Sequence, residues 1–375
     1  MWKYDICDTV SGAIIGEVKP ASGSWERVMN GTGGGTHEFV LSSLGQQGNR
    51  ASFQRIRRAL TAPNARTLVQ SWDGQVTYAG FITHRKMTDK SDKLVVRHSE
   101  IREIFKKRFT FGENGYQGDA DPKTGDIGAG RLSIVNNSVD SLVGWLIWQG
   151  MQGIGPNWSL PLIPPPRNVP GPHKRVWWDY NFPVVESEMT ELQNAYGGPD
   201  IEFKPQWSAS NTLEWQSRVG KLDDGKMLDW NTTAERPRAL DIEVEEDSTK
   251  TGNMMYALGD GQERDMLVRK AKADTAQPAL ERVENYSQLK DLDWLQSHVD
   301  ADLQTFRTPT EQVTWSIQAG DNPGIRDLVL GQRVRLYFKN HNWFDDGWHD
   351  YRLIAFRGDL TETVRLETQP YKEAA

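Results

Sequence analysis

The chain of 375 residues is longer than one ordinary hydrophobic core requires, so we expect about two to four compact units. Its net charge of −7 argues against a protein that holds nucleic-acid phosphates over its whole surface, and no apolar run approaches the length of a membrane span. Its single cysteine, Cys7, excludes an intrachain disulfide and a thiolate-rich metal cluster, which fits folding in a reducing cytoplasm.

Short strands separated by turns are predicted for the first 110 residues. Asp73-Gly74 joins two alternating apolar runs, which is among the strongest local signals for a hairpin. A helix with several basic residues is predicted from about Arg50 to Leu60, and Pro63 ends it. The predicted strands are Tyr4–Cys7, Ala13–Glu17, Trp25–Met29, His37–Leu41, Thr67–Trp72, Val76–His84 and Leu94–Arg97. Such strands with one helix favour a small barrel or sandwich.

The chain changes character between about residues 111 and 205. Apolar residues at helical spacing predict a helix that begins at Val139 and is capped by Asn137 or Ser138. Seven prolines then follow between Pro156 and Pro172. Because proline lacks a backbone N–H, we expect this segment to be a stiff extended arm that joins neither a sheet nor a helix. A second short helix is predicted at residues 186–196.

Strands return from Ile201 onward, with one more helix between them. An apolar stripe predicts that helix from Ser287 to about Gln304. Two runs near the end of the chain alternate strictly, which predicts strands with one buried and one exposed face. The predicted strands are Ile201–Trp207, Thr212–Val219, Ala239–Glu245, Met254–Gly259, Met266–Lys270, Glu311–Ile317, Arg333–Lys339, Tyr351–Phe356 and Thr363–Glu367.

Catalytic motifs are not found in the sequence: it has no His-Glu-x-x-His, no phosphate-binding loop with Lys-Ser or Lys-Thr, and no Gly-x-Ser-x-Gly. The segment His341–Asp350 concentrates imidazole and carboxylate groups, which are metal-ligand types, and it leaves a hydrolase as one alternative. An exposed loop anchored by Trp343 and Trp348 is favoured instead. We therefore expect no cofactor, no metal and no enzymatic activity.

Three neighbouring aromatic residues raise another alternative. Trp177, Trp178 and Tyr180 are of the types that form platforms on which sugars stack, so recognition of host cell-wall carbohydrate, or of a receptor, is a second possible function. Packing of these rings against a neighbouring part of the protein or subunit is favoured over this reading.

Three stretches together resemble the tail hub proteins of long-tailed bacteriophages, and most closely the minor tail proteins of phages that infect actinobacteria. The first is Trp25–Leu41, a strand, a polar turn and a strand. The second is Leu68–Ile82, in which one strand ends in Asp-Gly and the next contains Tyr-Ala-Gly. The third combines Leu330–Leu336, Tyr351–Phe356 and Thr363–Glu367, which are similar to the closing strands of that family.

The fold implied by this resemblance is mainly β with α+β insertions and has two small β-barrels of the tail-hub type. The first barrel is expected at residues 1–110, and the second at 206–240 together with 308–370. Inserted domains are expected at 111–205, which includes the proline-rich arm, and at 241–307. Relatives with an enzymatic domain carry it after the hub, and we expect none after the last predicted strand of this chain.

The function implied is structural. A homotrimeric ring of six barrels would adapt the sixfold tail tube to the threefold tip and line the channel for DNA ejection, with DNA passing and not being bound specifically. The implied partners are a distal tail ring protein, the tape-measure protein and downstream tip or receptor-binding proteins. The implied location is the tail tip of the virion, after synthesis in the host cytoplasm. Candidate subunit or partner contacts are Arg55, Arg57, Arg58, Trp177, Trp178, Tyr180, Trp343 and Trp348.

Overall fold

The computed structural model describes residues 1–41, 59–88, 90–112, 130–153, 157–195, 197–287 and 289–371. Strands hold 45% and helices 16% of the residues, so the prediction of a mainly β chain is confirmed. Within the described ranges no helix is long and apolar enough to cross a membrane. Most of the helix predicted from Arg50 to Leu60 lies outside these ranges. Residues 59–61 are within them and are helical.

The N-terminal unit is an antiparallel sheet of seven strands in the order β2-β1-β5-β6-β7-β4-β3. Alternation places Phe39, Leu94 and Val96 on one face, where they pack into a common core. Asp73 and Gly74, both with positive φ, form the turn between β5 and β6, as the hairpin signal predicts. The strands are β1 (Trp2–Asp8), β2 (Ile14–Glu17), β3 (Ser22–Val28), β4 (Gly34–Val40), β5 (Arg66–Trp72), β6 (Gln75–Met87) and β7 (Lys93–Ser99), followed by the short helix α1 (Arg102–Phe105).

A second unit uses strands from the last third of the chain, in the order β13-β19-β20-β21-β18-β14. Its core is apolar and contains Trp230, Trp315, Leu336 and Leu366. The β13–β19 pair is parallel and the other pairs are antiparallel. The strands are β13 (Leu228–Asn231), β14 (Leu240–Asp247), β18 (Thr310–Gln318), β19 (Arg333–Phe338), β20 (Gly347–Asp359) and β21 (Thr363–Pro370).

The two units repeat one arrangement of strands. Apart from β2, the strands β1, β3, β4, β5, β6 and β7 correspond in chain order to β13, β14, β18, β19, β20 and β21, and every neighbouring pair has its counterpart. Strands β6 and β20 are both 13 residues long. Each also has a register shift in its pairing with the next strand of the chain. The shift of β6 against β7 lies between Ile82 and His84, and that of β20 against β21 lies between Leu353 and Ala355. One difference is that β1 pairs antiparallel with β5, whereas β13 pairs parallel with β19.

A junction between β3 and the second half of β20 joins the two units into one continuous sheet. The pairing is antiparallel and sets Ala355 opposite Val28 and Asp359 opposite Ser24. β20 can reach β3 because its pairing with β19 ends at Arg352. The second half of β20 therefore lies between β21 of its own unit and β3 of the neighbouring unit.

An α+β insertion packs against one face of the N-terminal unit. Its helix α2 (Val139–Gln149) is capped by the Ser138 hydroxyl, which accepts the Ser141 N–H. The core of the insertion is continuous with Val69, Val76 and Ala79 of the first sheet, so the two pack as one body. The remaining elements are β8 (Arg131–Asn137), β9 (Leu162–Ile163), β10 (His173–Trp178), α3 (Val185–Asn194), β11 (Asp200–Trp207) and β12 (Leu213–Gly220).

A smaller insertion lies between β14 and β18. Strands β15 (Met254–Leu258), β16 (Val268–Lys272) and β17 (Glu281–Asn285) form a three-stranded sheet with β15 in the centre. Helix α4 (Leu292–Phe306) packs against it through a separate core that includes Met255, Leu295 and Val299. The Asp291 carboxylate caps α4 by accepting the Asp293 and Trp294 N–H groups.

The prediction that the proline-rich segment joins no sheet is wrong at two points. Leu162 and Ile163 form β9, which pairs parallel with β12, and Pro170 forms a bridge with Asn137. Proline lacks only the donor, so the carbonyls and the residues between prolines can still pair at a sheet edge. The expected domain boundaries at 205/206 and 240/241 fall inside β11 and β14, respectively.

Candidate interaction surfaces

The junction of the two units contains a buried charged group. The Arg27 side chain on β3 is only 4% exposed and pairs with Glu100 at 3.5 Å and with Glu202 of β11. Its guanidinium also lies 5.4 Å from the centre of the Phe356 ring on β20. Burial raises the pKa of the Glu100 carboxyl to about 7, although Arg27 and the Gly33 N–H favour the charged form.

The β11–β12 hairpin extends this group into a network that spans three parts of the chain. Glu202 also pairs with Arg218 of β12, which in turn pairs with Asp224. Asp200, at the start of β11, accepts the side-chain amide of Asn30 at 2.8 Å and pairs with Arg352 of β20. Removing one partner of such a network leaves uncompensated buried charge, so substitutions at the junction are expected to destabilise the fold.

A second buried polar group lies inside the N-terminal unit. The Tyr78 hydroxyl is 2.7 Å from Nδ1 of His98, and Nε2 of His98 is 2.7 Å from Nδ1 of His37. Burial lowers the pKa of His37 to about 4, and burial together with His37 lowers the pKa of His98. Both imidazoles are therefore neutral at pH 7, and they act as hydrogen-bonding groups of the core.

The aromatic residues predicted as a partner contact differ in exposure: Trp177 is buried, whereas Tyr180 is exposed. Trp177 is buried, and its Nε1 donates to Glu188 at 2.8 Å. Trp178 stacks on Tyr180 with centroids 5.7 Å apart, and the Arg131 guanidinium lies 4.9 Å from its ring centre. A sugar platform needs an uncovered ring face, and only Tyr180, 54% exposed, offers a substantial one. The geometry therefore favours a structural role for this group.

The two tryptophans near the end of the chain lie on the hairpin of β19 and β20. Trp343 is 64% exposed at its tip, and Trp348 is also exposed. The Arg335 guanidinium lies 4.3 Å from the centre of the Trp348 ring and forms a bidentate pair with Asp229. Exposed tryptophans are enriched among the energetic anchors of protein interfaces, so Trp343 and Trp348 remain predicted partner contacts.

The imidazoles and carboxylates of the same hairpin do not converge on a common point. Nδ1 of His341 accepts the Trp343 N–H at 3.1 Å, and the Asp350 carboxylate pairs with Arg333. Nε2 of His349 lies 2.8 Å from the Asp345 carbonyl. Throughout the described residues, no three His, Cys, Asp or Glu side chains are grouped to hold a metal ion. The loop is thus held by its own hydrogen bonds. The other predicted contacts, Arg55, Arg57 and Arg58, lie outside the described residues.

Two exposed strand segments of the continuous sheet carry charges of one sign. Strand β14 is an edge of the sheet, and Glu243, Glu245, Glu246 and Asp247 on it are exposed. The end of β6, His84–Met87, is exposed and carries basic side chains on the stretch that β5 does not reach. The sequence signal for both was the local excess of one sign of charge within a strand.

Similar solved structures are phage tail proteins and a related secretion component. The chain matches a tail protein from Neisseria meningitidis MC58 over 98% of its own length and 96% of that chain, with 12% identity and a TM-score of 0.56. It matches the 43 kDa tail protein of prophage MuSo2 from Shewanella oneidensis over 99% and 98%, with 5% identity and a TM-score of 0.57.

A third match is the c3393 protein of Escherichia coli, described as a component of the type VI secretion system with structural similarity to the T4 tail proteins gp27 and gp5. It covers 99% of this chain and 77% of that chain, with 8% identity and a TM-score of 0.51. No protein-family model matches the chain, and no curated protein does. The chain thus has the fold of phage tail hub proteins, and the fold-class prediction is confirmed.

Proposed function

We propose that this chain is a structural subunit of a phage tail tip or baseplate, and that three copies form a ring. The observation that carries the proposal is the internal repeat: one chain holds two six-stranded units with the same connectivity, joined edge to edge by β3 and β20. Three such chains supply six similar units, which is the number needed to match a sixfold tube while presenting threefold symmetry to the tip.

The ring would surround the channel through which the tape-measure protein and then DNA leave the particle. A conduit should not hold its cargo, and a subunit with net charge −7 repels phosphate on average. Its faces would contact a distal tail ring protein on one side and tip or receptor-binding proteins on the other. Trp343 and Trp348 are the described candidates for such a contact.

The role is proposed to be non-enzymatic, carried out in the virion after synthesis in the host cytoplasm. In the domain division that fits the strand pairing best, the first barrel ends near residue 110 and its insertion extends to Gly220. The second barrel then takes β13, β14 and β18–β21, and the smaller insertion lies between Asp247 and Thr310.

The proposal is tested by the mass of the purified full-length chain in solution, measured by mass photometry over a concentration series. A population with the mass of three copies of the 42.6 kDa chain is expected. A chain that stays monomeric at all concentrations, or that assembles only as a dimer, would refute the ring. An assembly of six copies of the chain in one ring would also contradict the proposal.

A further inference from the structure

The internal repeat predicts which strands meet between neighbouring copies. We infer that the exposed end of β6 in one protomer pairs antiparallel with β14 of the next, as β20 pairs with β3 inside each chain. This inference rests on the proposed ring. If all six units stand in equivalent positions, the contact between chains repeats the contact within the chain. β6 is the counterpart of β20, and β14 is the counterpart of β3.

The register shifts align β6 with β20 residue by residue. In the pairing with the following strand each register shift skips one residue, Thr83 in β6 and Ile354 in β20. Counting from these residues, the segment His84–Thr88 corresponds to Ala355–Asp359. The latter is the segment that pairs with β3.

Rows of paired residues across each sheet align β14 with β3. In the first unit Ile82, the residue just before the register shift, pairs with His98 of β7. His98 pairs with Gly35 of β4, and Gly35 pairs with Trp25 of β3. In the second unit Leu353 pairs in the same way with Thr368 of β21. Thr368 pairs with Val313 of β18, and Val313 pairs with Val244 of β14. Val244 therefore takes the place of Trp25, and Glu243–Asp247 takes the place of Ser24–Val28.

Transferring the register of the internal junction gives a specific set of pairs between protomers. Lys86 would face Glu245 where Arg357 faces Glu26 inside the chain, so both junctions place opposite charges at this position. The complete set is His84 with Asp247, Arg85 with Glu246, Lys86 with Glu245, Met87 with Val244, and Thr88 with Glu243. Directly opposed charges of opposite sign stabilise antiparallel pairs, and none of these pairs opposes like charges.

Both segments are exposed in the single chain. Met87 is 50% exposed, and His84, Arg85 and Lys86 around it are exposed as well. On β14, Glu243 already pairs with Arg365, whereas Glu245 and Glu246 form no ion pair with any residue that the structure describes. An edge strand with unpaired backbone groups is a template for strand addition, and charge decides which partner it accepts.

A disulfide between the two segments tests the register. In the double variant Met87→Cys/Val244→Cys, directly opposed residues would lie about 4.5–5.5 Å apart between Cα atoms, which a disulfide can bridge. Mild oxidation of the full-length protein should give a covalent trimer on a denaturing gel. The matched control, Met87→Cys/Ile242→Cys, is two residues out of register and should give much less. The native Cys7 is buried and provides little background.

A charge exchange tests the electrostatic part. Lys86→Glu and Glu245→Lys should each raise the dissociation constant of the ring about tenfold per junction at low salt, since each places like charges opposite one another. The double variant Lys86→Glu/Glu245→Lys should recover most of the loss. Lys270→Glu, an exposed strand lysine in the smaller insertion, is the control and should leave the ring unchanged.

The outcomes separate the junction from the ring itself. If the wild-type protein is a trimer but Met87→Cys/Val244→Cys does not crosslink and Lys86→Glu has no effect, the ring stands and the inferred junction is wrong. If the wild-type protein is not a trimer, both the ring and the junction fail. Crosslinking in the register pair, with little in the control pair, establishes the junction.

Discussion

The two sheet units share connectivity but have different interiors. Where the first unit has the buried imidazole of His37, the second has the indole of Trp315 at the corresponding position. Where the first has His98, the second has Thr368. The same order of strands thus accommodates a core that contains hydrogen-bonded imidazoles and a core that has an aromatic indole at one of those positions. Strand topology is therefore repeated in the two units, whereas the chemistry of the core is particular to each unit.

The aromatic interior of the second unit should be the most sensitive to truncation. Trp315 is fully buried and contacts Trp230 at 5.6 Å between ring centroids. Trp315→Ala should reduce the free energy of unfolding by about 4 kcal/mol, because it removes a large buried side chain and leaves a cavity. Urea denaturation followed by far-ultraviolet circular dichroism measures this. A loss below about 1 kcal/mol would show that Trp315 is not part of a packed core.

The junction between the units should rank next. Arg27→Met removes the cation that lies between Glu100 and Glu202. It should cost about 3 kcal/mol at pH 7, because the buried Glu100 loses its cation and Glu202 keeps only Arg218 as a partner. Adding Glu100→Gln should recover part of the loss in the same denaturation experiment, because Arg27 is the ion-pair partner of Glu100 among the described residues. A double variant that is less stable than the single variant would contradict the assignment of Arg27 as the counter-ion of Glu100.

The polar interior of the first unit should make stability depend on pH. The folded pKa of His37 is about 4, below the unfolded value of about 6.5, so its contribution is complete above pH 6.5 and is lost as pH falls toward 4. This loss amounts to about 1 kcal/mol per pH unit. His98 and His298, whose pKa values are also lowered by burial, act in the same direction.

Glu100 opposes this trend. Its folded pKa of about 7 lies above its unfolded value, so its contribution to stability is present at low pH and is lost as pH rises toward 7. In Glu100→Gln the increase of stability between pH 4.5 and 6.5 should therefore be steeper than in the wild type. Denaturant midpoints measured across that range check the prediction. Equal slopes in the two proteins would show that Glu100 is not protonated in the folded state.

The smallest effect is expected at the hairpin tip of the second unit. Trp343→Ala should change the free energy of unfolding by less than about 0.5 kcal/mol, since most of the side chain is in solvent. The same denaturation experiment measures it, next to Trp315→Ala. A large loss at Trp343 would mean that the tip is packed in the folded chain and is not available to a partner.

Much of the fold is predictable from the sequence where alternation or helical spacing is strong. The strands Arg333–Phe338 and Thr363–Pro370 and the helix Val139–Gln149 follow from such patterns. Each of these elements packs one face against a core, and that burial produces the pattern. The stretches that resemble tail hub proteins correspond to β3–β4, β5–β6 and β19–β21.

Five strands are missed because their residues carry no comparable signal, and one of them, Leu162–Ile163, has only two residues. Leu228–Asn231 is only four residues long and pairs parallel with a distant strand. Glu281–Asn285 is polar and rests on the edge of a three-stranded sheet. The others, Arg131–Asn137 and His173–Trp178, form a two-stranded sheet with each other and follow loop-like segments. Their pairing is decided by tertiary contacts that local sequence does not encode.

The candidate surfaces are predictable only in part. An exposed Trp343 follows from the polar loop around it, whereas the burial of Trp177 depends on Glu188, a residue of the following helix. The basic end of β6 and the acidic β14 are visible as charge runs. Their relation to each other appears only when the strand order of the two units is compared.

The central claim is that one chain supplies two equivalent units to a closed threefold ring. Single-particle imaging of the purified full-length protein tests it most directly. The expected result is a threefold particle whose central wall shows six similar lobes, alternating between the two units. Monomeric particles, or rings whose symmetry is not threefold, would contradict the claim.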